Sequence, residues 1–267
     1  MTLPTPTLLA TTESVRQHVD AEMSRHLQGA GLSDRETVAV ACRILAHEGH
    51  AQSLAGQVTK RLDDETFWTT HFACGLRDAT ADNLVRFDRD MQVIEGDGMP
   101  NPAVRFHLWI YAHRPELRCI VHTHPPHVAA LSMLGEPLEI AHMDAMMLYE
   151  SCAFLSDWPG VPLANEEGRI ISEALGDKPA ILLAHHGLLT AAASVERATY
   201  MAVALESAAR LHLLARAAGT IRAPVPQLAR EACEFLNKRA IVDATFAYWA
   251  RHVIREHPEV LETKQTA

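Results

Sequence analysis

The chain has 267 residues, of which 48% are apolar and 21% charged, and a formal net charge of −9. That balance is typical of a folded globular protein and excludes disorder and fibrous repeats. An acidic chain whose arginines are scattered rather than gathered into a stripe argues against a nucleic-acid partner.

The five cysteines, Cys42, Cys74, Cys119, Cys152 and Cys233, contain no CxxC pair. This argues against a disulfide framework or a thiolate zinc site and fits a reducing cytoplasm. No apolar run reaches membrane-spanning length, and the opening MTLPTPTLLATTES has no basic stretch ahead of an apolar core, so a cytoplasmic protein without membrane contact is expected. Residues 1–267 read as one domain, with a flexible arm over 1–12 and a helical tail over 220–267.

Residues 13–30 and 34–49 carry apolar side chains at helical spacing (Val15, Val19, Met23, Leu27; Val38, Ala41, Ile44, Leu45), and Ser33 stands where an N-cap belongs. From Gly49 to Arg89, the short segments QVTKRL, TFWTTHF and NLVRFD between Asp, Asn and Gly predict two strands and their turns in an antiparallel arrangement. Pro102 opens a helical stretch that Pro115 ends. CIVHTH and AILLAHHG read as apolar strands, with a helix over 126–134 and an irregular region (MDAMMLYE, DWPGVPL) between them. Ser194 precedes the strongest helix, which has Glu196 in its first turn and Arg216 near its end, as the helix dipole favours, and is closed by Gly219. One last helix is predicted from Pro226 to His252.

Alternation along a strand sends residues two apart to the same face, so His122 and His124 project together from the end of CIVHTH. Imidazole is a ligand for zinc, manganese and iron, and two rings supply half of a tetrahedral shell. His185-His186, ending the other apolar strand, is the source of a third. A lone HxH among 16 histidines is more often structural, but two clusters at two strand mouths favour a metal site. Arg105 and His107 also read as an exposed salt-bridging arginine and a satisfied core histidine.

VHTHPPHVAALS followed by LLAHHGLLTAAASVERA resembles the class II aldolase/adducin family, over about residues 35–220. The resemblance implies an α/β fold, a three-layer α/β/α sandwich with a mostly antiparallel central sheet. It also implies a homotetramer with active sites between subunits, and one divalent metal ion (Zn, Mn or Fe) on His122, His124 and His186. The family's sugar-phosphate aldolases carry a glutamate, both ligand and acid/base, 19 residues before the first histidine. Here that position is Ala103, within Asn101-Pro102-Ala103-Val104-Arg105-Phe106-His107. The family's phosphate-binding segment appears as Ser53-Leu54-Ala55-Gly56-Gln57-Val58-Thr59, and two family serines become Asn101 and Pro102. Fewer hydroxyl donors around a phosphate leave its oxygens poorly paired, so the expected small-molecule substrate is not a sugar phosphate.

Retro-aldol cleavage needs a base, whereas decarboxylation needs only a later proton donor. The expectation is therefore a metal-dependent carbon–carbon lyase. It would decarboxylate a hydroxylated aromatic or heteroaromatic carboxylate through an enolate or phenolate whose charge the metal stabilises, closer to the family's decarboxylase-like members than to its fuculose-phosphate aldolase. His142, aligned with a family tyrosine, is the expected proton donor, and Arg105 or Arg77 the holder of a second carboxylate. Gln57 and His71 are further substrate contacts, and Phe72, Trp68, Met143, Met146, Met147 and Trp158 are available for an arene wall. Class II aldol cleavage of a hydroxy-keto substrate, a non-heme iron oxygenase of a hydroxyphenyl acid and a non-catalytic adducin-like binding module are the alternatives. His127 and His185 read either as partners orienting the ligand rings or as structural residues. Tyr248 reads as core, or as a group reaching a neighbouring subunit's site.

Overall fold

Local capping starts the fold where the sequence places it. The computed structural model describes residues 12–161 and 165–261. Of the arm expected over 1–12, residues 1–11 therefore lie outside the described residues, and Thr12 opens the first helix. Helix α1 covers Thr12–His26 and α2 covers Asp34–His47. Ser33 accepts the N–H of Glu36, and the Glu36 carboxylate accepts the N–H of Ser33 at 2.7 Å, a reciprocal cap that satisfies two otherwise orphaned donors.

The strands that follow are short: β1 (Gln57–Arg61), β2 (Phe67–Thr70), β3 (Leu84–Phe87) and β4 (Val93–Glu95). The region Gly49–Arg89 thus holds three strands rather than the two expected. Strands of four or five residues with a run like the fully buried FWTT leave no alternation to count. A 3-10 turn over Pro102–Val104 leads into α3 (Arg105–His113). Then come β5 (Cys119–Thr123), α4 (Pro126–Ser132), a 3-10 turn over Met143–Leu148 and β6 (Cys152–Leu155). Helix α5 (Asn165–Leu175), β7 (Ala180–Leu183), β8 (Leu188–Ala192) and α6 (Val195–Ala218) follow. The single last helix of the sequence reading is two, α7 (Pro226–Leu236) and α8 (Arg239–Glu256). Between them the Asn237 side chain donates to the Cys233 and Met147 carbonyls, ending α7 and tying it to the Met143–Leu148 turn.

The eight strands form one sheet in the order β4-β3-β2-β1-β5-β8-β7-β6, antiparallel except for the β6–β7 pair. β6, α5 and β8 have no counterpart in the sequence reading; β8 starts directly after Gly187. Period-two alternation splits β5 between two cores. Cys119 and Val121 join the layer built on α2, α4, α6 and α8, while Ile120 joins Phe106, Ile110 and Tyr111 of α3 and Ile171 and Leu175 of α5. The architecture is the expected α/β/α sandwich, and β5 in mid-sheet carries the first histidines. Tyr248, read as core, is 53% exposed, its ring against His252. No helix among the described residues is long and apolar enough to cross a membrane.

Candidate metal centre

All five residues of β5 are buried, so His122 is held in a rigid, water-poor setting. Its Nδ1 lies 2.8 Å from the carbonyl oxygen of Leu188 on β8. Only N–H can donate to that oxygen, so the proton sits on Nδ1 and Nε2 keeps its lone pair. His124 stands one residue past the strand, immediately before the Pro125 that caps α4. Its Nε2 is 2.9 Å from that of His122, as the two-residue alternation predicts.

The third ring arrives by a different device. β7 and β8 are joined by a tight turn closed by the Leu183 N–H on the Gly187 carbonyl (2.8 Å). His185 takes the left-handed conformation there (φ 55°) with its side chain exposed, and His186 turns inward. Ring centroids of His186 lie 4.7 Å from His122 and 4.6 Å from His124, and one ligand nitrogen from each of the three falls within 4.8 Å of the others. Gly187 makes the approach possible, since a Cβ there would stand 2.5 Å from both His124 Cδ2 and the Thr123 carbonyl oxygen.

Burial pushes His122 well below the ordinary imidazole range, and the neighbouring rings push the same way. His124 is lowered by burial, and His186 is lowered to about 4 by burial and by His124. All three rings are therefore neutral at pH 7. With two Nε2 atoms 2.9 Å apart, either one ring donates to the other or both lone pairs face a common acceptor. Three neutral nitrogens converging in a mostly buried site fit a divalent cation of the zinc, manganese or iron kind. The group is all histidine among the described residues, with no carboxylate.

Around it, the Phe106 ring stands edge-on to His122 at 5.0 Å. Ala103 lies in the 3-10 turn before α3, its N–H bonded to the Asn101 side chain at 3.0 Å. His107 is fully buried, its Nδ1 2.9 Å from Thr59 Oγ1 while Nε2 has no partner, so it is a core histidine only half satisfied. His50, which the sequence reading passed over, is equally buried, with Nδ1 2.8 Å from Thr123 Oγ1 at the root of the ligand segment. Burial lowers both His50 and His107 to about 3. No pattern in the sequence marks His50, because its partner is 73 residues away.

The remaining candidates divide. Gln57 is the cross-strand partner of His122, buried, with its Oε1 unpartnered. His71 forms an isolated bridge with Pro100 and packs against Gly98. Arg105 is exposed and lines a cavity of about 450 Å³ with Arg89, Trp109 and Asn165. His142 is exposed at the start of the 3-10 turn, its Nδ1 accepting the Asp144 N–H at 3.3 Å, in a separate cavity of about 370 Å³ with Glu139, His212 and Arg222. Arg77 lines a third cavity with Arg43, His47 and His257. The fold thus gathers the three candidate ligands and Gln57 and places Arg77, Arg105 and His142 in other cavities of the same chain. The side chains suggested for an arene wall do not assemble either. Trp68 is in the core under the Arg35 guanidinium, and Met146 and Met147 are buried, while Phe72, Met143 and Trp158 face outward.

Residues 36–213 match the family model described as Class II Aldolase and Adducin N-terminal domain. The chain belongs to the class II aldolase/adducin family. This family member is 32% identical over 186 residues to the decarboxylase NovR of Streptomyces niveus, covering 68% of this chain and 69% of that protein. It is 28% identical over 197 residues to 3,4-dihydroxyphthalate decarboxylase of Arthrobacter keyseri (69% and 79% covered). It is 32% identical over 194 residues to L-fuculose phosphate aldolase of Escherichia coli O6:H1 (71% and 86% covered). The structure of L-fuculose 1-phosphate aldolase from Glaciozyma antarctica PI12 superposes with a TM-score of 0.78 at 26% identity, covering 97% of each chain. Decarboxylases and aldolases are both among the relatives of this class II aldolase-family chain at similar identity, so the choice between the two chemistries falls to the site.

Proposed function

We propose that this chain is a metal-dependent carbon–carbon lyase that removes carbon dioxide from a non-phosphorylated, hydroxylated aromatic or heteroaromatic carboxylate in the cytoplasm. The observation that carries this reading is the donor set: three histidines converge, no carboxylate joins them among the described residues, and Ala103 stands where the aldolase-type glutamate would. A methyl group can neither ligate nor accept the proton that retro-aldol cleavage must shed.

His122, His124 and His186 would hold a zinc, manganese or iron ion, which would supply Lewis-acid polarisation of the substrate. The chain's own residues do the rest. The Leu188 carbonyl fixes the His122 ring and its tautomer. Gln57, with its free amide oxygen beside His122, accepts a hydrogen bond from a substrate hydroxyl. His142, Arg105 and Arg77 line three other cavities of this chain, so in this proposal they reach substrate only where a homotetramer sets a neighbouring copy's cavity against the triad.

Similarity to 3,4-dihydroxyphthalate decarboxylase supports the substrate class. A second reading, aldol cleavage of a hydroxy-keto substrate, draws on the mutual coverage with L-fuculose 1-phosphate aldolase. Metal content of the purified protein, followed by a screen of hydroxylated arene carboxylates for carbon dioxide release with and without oxygen, tests both. About one metal per chain and oxygen-independent release that disappears in His122→Ala is the expected result. Release at the native rate by His122→Ala and His124→Ala would sink the proposal. Aldehyde formation without carbon dioxide would establish the second reading.

A further inference from the structure

Helix α4 begins two residues after His124, and its first turn is anchored in an unusual way. Pro126 has no N–H, so the first free backbone donors are those of His127 and Val128. Both are taken by one carboxylate from α6. Glu206 Oε1 accepts from His127 N–H at 3.1 Å and from His127 Nδ1 at 2.7 Å, while Oε2 accepts from Val128 N–H at 2.9 Å. Glu206 is only 8% exposed. Burying a carboxylate is costly unless its oxygens are fully engaged, and here the engagement is with the positive end of a helix.

At the other end of α4, the Ser132 carbonyl accepts the N–H of His185 at 3.1 Å, in the turn that delivers His186. Ser132 is buried, and its hydroxyl donates to the Ala129 carbonyl at 2.8 Å. α4 is therefore a two-turn strut: its amino end continues from His124, its carboxyl end holds the turn carrying His186, and Glu206 fastens it to α6.

We propose that Glu206 is a positioning residue of the histidine centre, setting the relative placement of His124 and His186 through α4. The proposal rests on the reading that the triad holds a metal. Glu206→Gln keeps the shape of the side chain but turns one acceptor into an NH2 group facing backbone donors. The expected result is zinc affinity, measured by chelator competition, weakened ~10-fold or more in a protein whose circular dichroism is native, together with a shifted cobalt(II) visible spectrum. His127→Asn, which leaves both backbone bonds to Glu206, should weaken affinity by only ~3-fold. Arg216→Gln, on the same helix as Glu206, breaks the surface pair of Arg216 with Glu136 and should leave affinity unchanged.

A residue that merely supports α6 would lower the melting temperature without moving affinity or spectrum, and that outcome overturns the proposal. If Glu206→Gln does not fold, His127→Asn decides, and an unchanged affinity and spectrum there overturn it too. Failure of the wild-type chain to bind zinc or cobalt would instead overturn the metal reading itself.

Discussion

The two histidine pairs of this chain look alike on paper and are built on different physics. In His122-Thr123-His124 the spacing is two, and a strand end sends both rings to one side. In His185-His186 the spacing is one, so only one ring can point inward, and the turn chooses His186 by holding His185 in the left-handed region with its ring in water. A strand delivers ligands by its regular period. A turn delivers one by a conformation that costs energy, with a glycine beside it.

The sharpest break in that comparison is ligand removal. His122→Ala, His124→Ala and His186→Ala should each weaken zinc binding more than ~100-fold, beyond the cost of losing an outer hydrogen-bond partner, while His185→Ala should leave it within ~2-fold. Competition titration with a chelator reads both. Phe106→Ala, which removes the ring edge-on to His122, should cost about 3–5 kcal/mol in denaturant unfolding, as deletion of a fully buried phenyl does.

Gly187→Ala attacks the turn instead. Its methyl meets the Thr123 carbonyl and His124 at 2.5 Å, so a loss of about 1–3 kcal/mol is expected, with impaired metal binding. Equal metal affinity in wild type and Gly187→Ala would show that the turn relaxes freely.

The pH response follows from His50 and His107, both lowered to about 3 by burial. The unfolded chain binds protons on these residues below its ordinary value near 6.5, while the folded chain resists until about 3. Stability is therefore full above pH 6.5 and falls progressively as the pH drops toward 3. Replacing His50 by Asn should flatten part of that slope in melts between pH 7 and 4. The smallest effect is at His185→Gly, where relief of the left-handed strain should stabilise the folded state by under about 1 kcal/mol.

The triad was legible because its signals are local: a period of two at the end of an apolar run, and a doublet followed by glycine. Ser33 marked the start of α2 for the same reason. What was hidden was set by distance or by short elements. β6 and β8 are short strands that lie half or fully buried and offer no countable period, whereas α5 carries a helical period in Gly168, Ile171 and Leu175 that the reading passed over. The split between α7 and α8 depends on Asn237 reaching the Met147 carbonyl 90 residues away. His142 is tied to the site by alignment with a family tyrosine, and Arg105 or Arg77 by the charge a second carboxylate needs, yet the chain itself lodges them in three other cavities.

By itself, then, the sequence determined the family, the α/β class and three candidate ligands, since these rest on residue type and on spacings within a single strand or turn. Only the tertiary structure decided that Glu206 on α6 fastens α4, that His50 holds Thr123 and that His122 faces a β8 carbonyl. Those contacts join residues 66 to 78 positions apart, and nothing in a local pattern encodes which distant side chain will satisfy a buried donor.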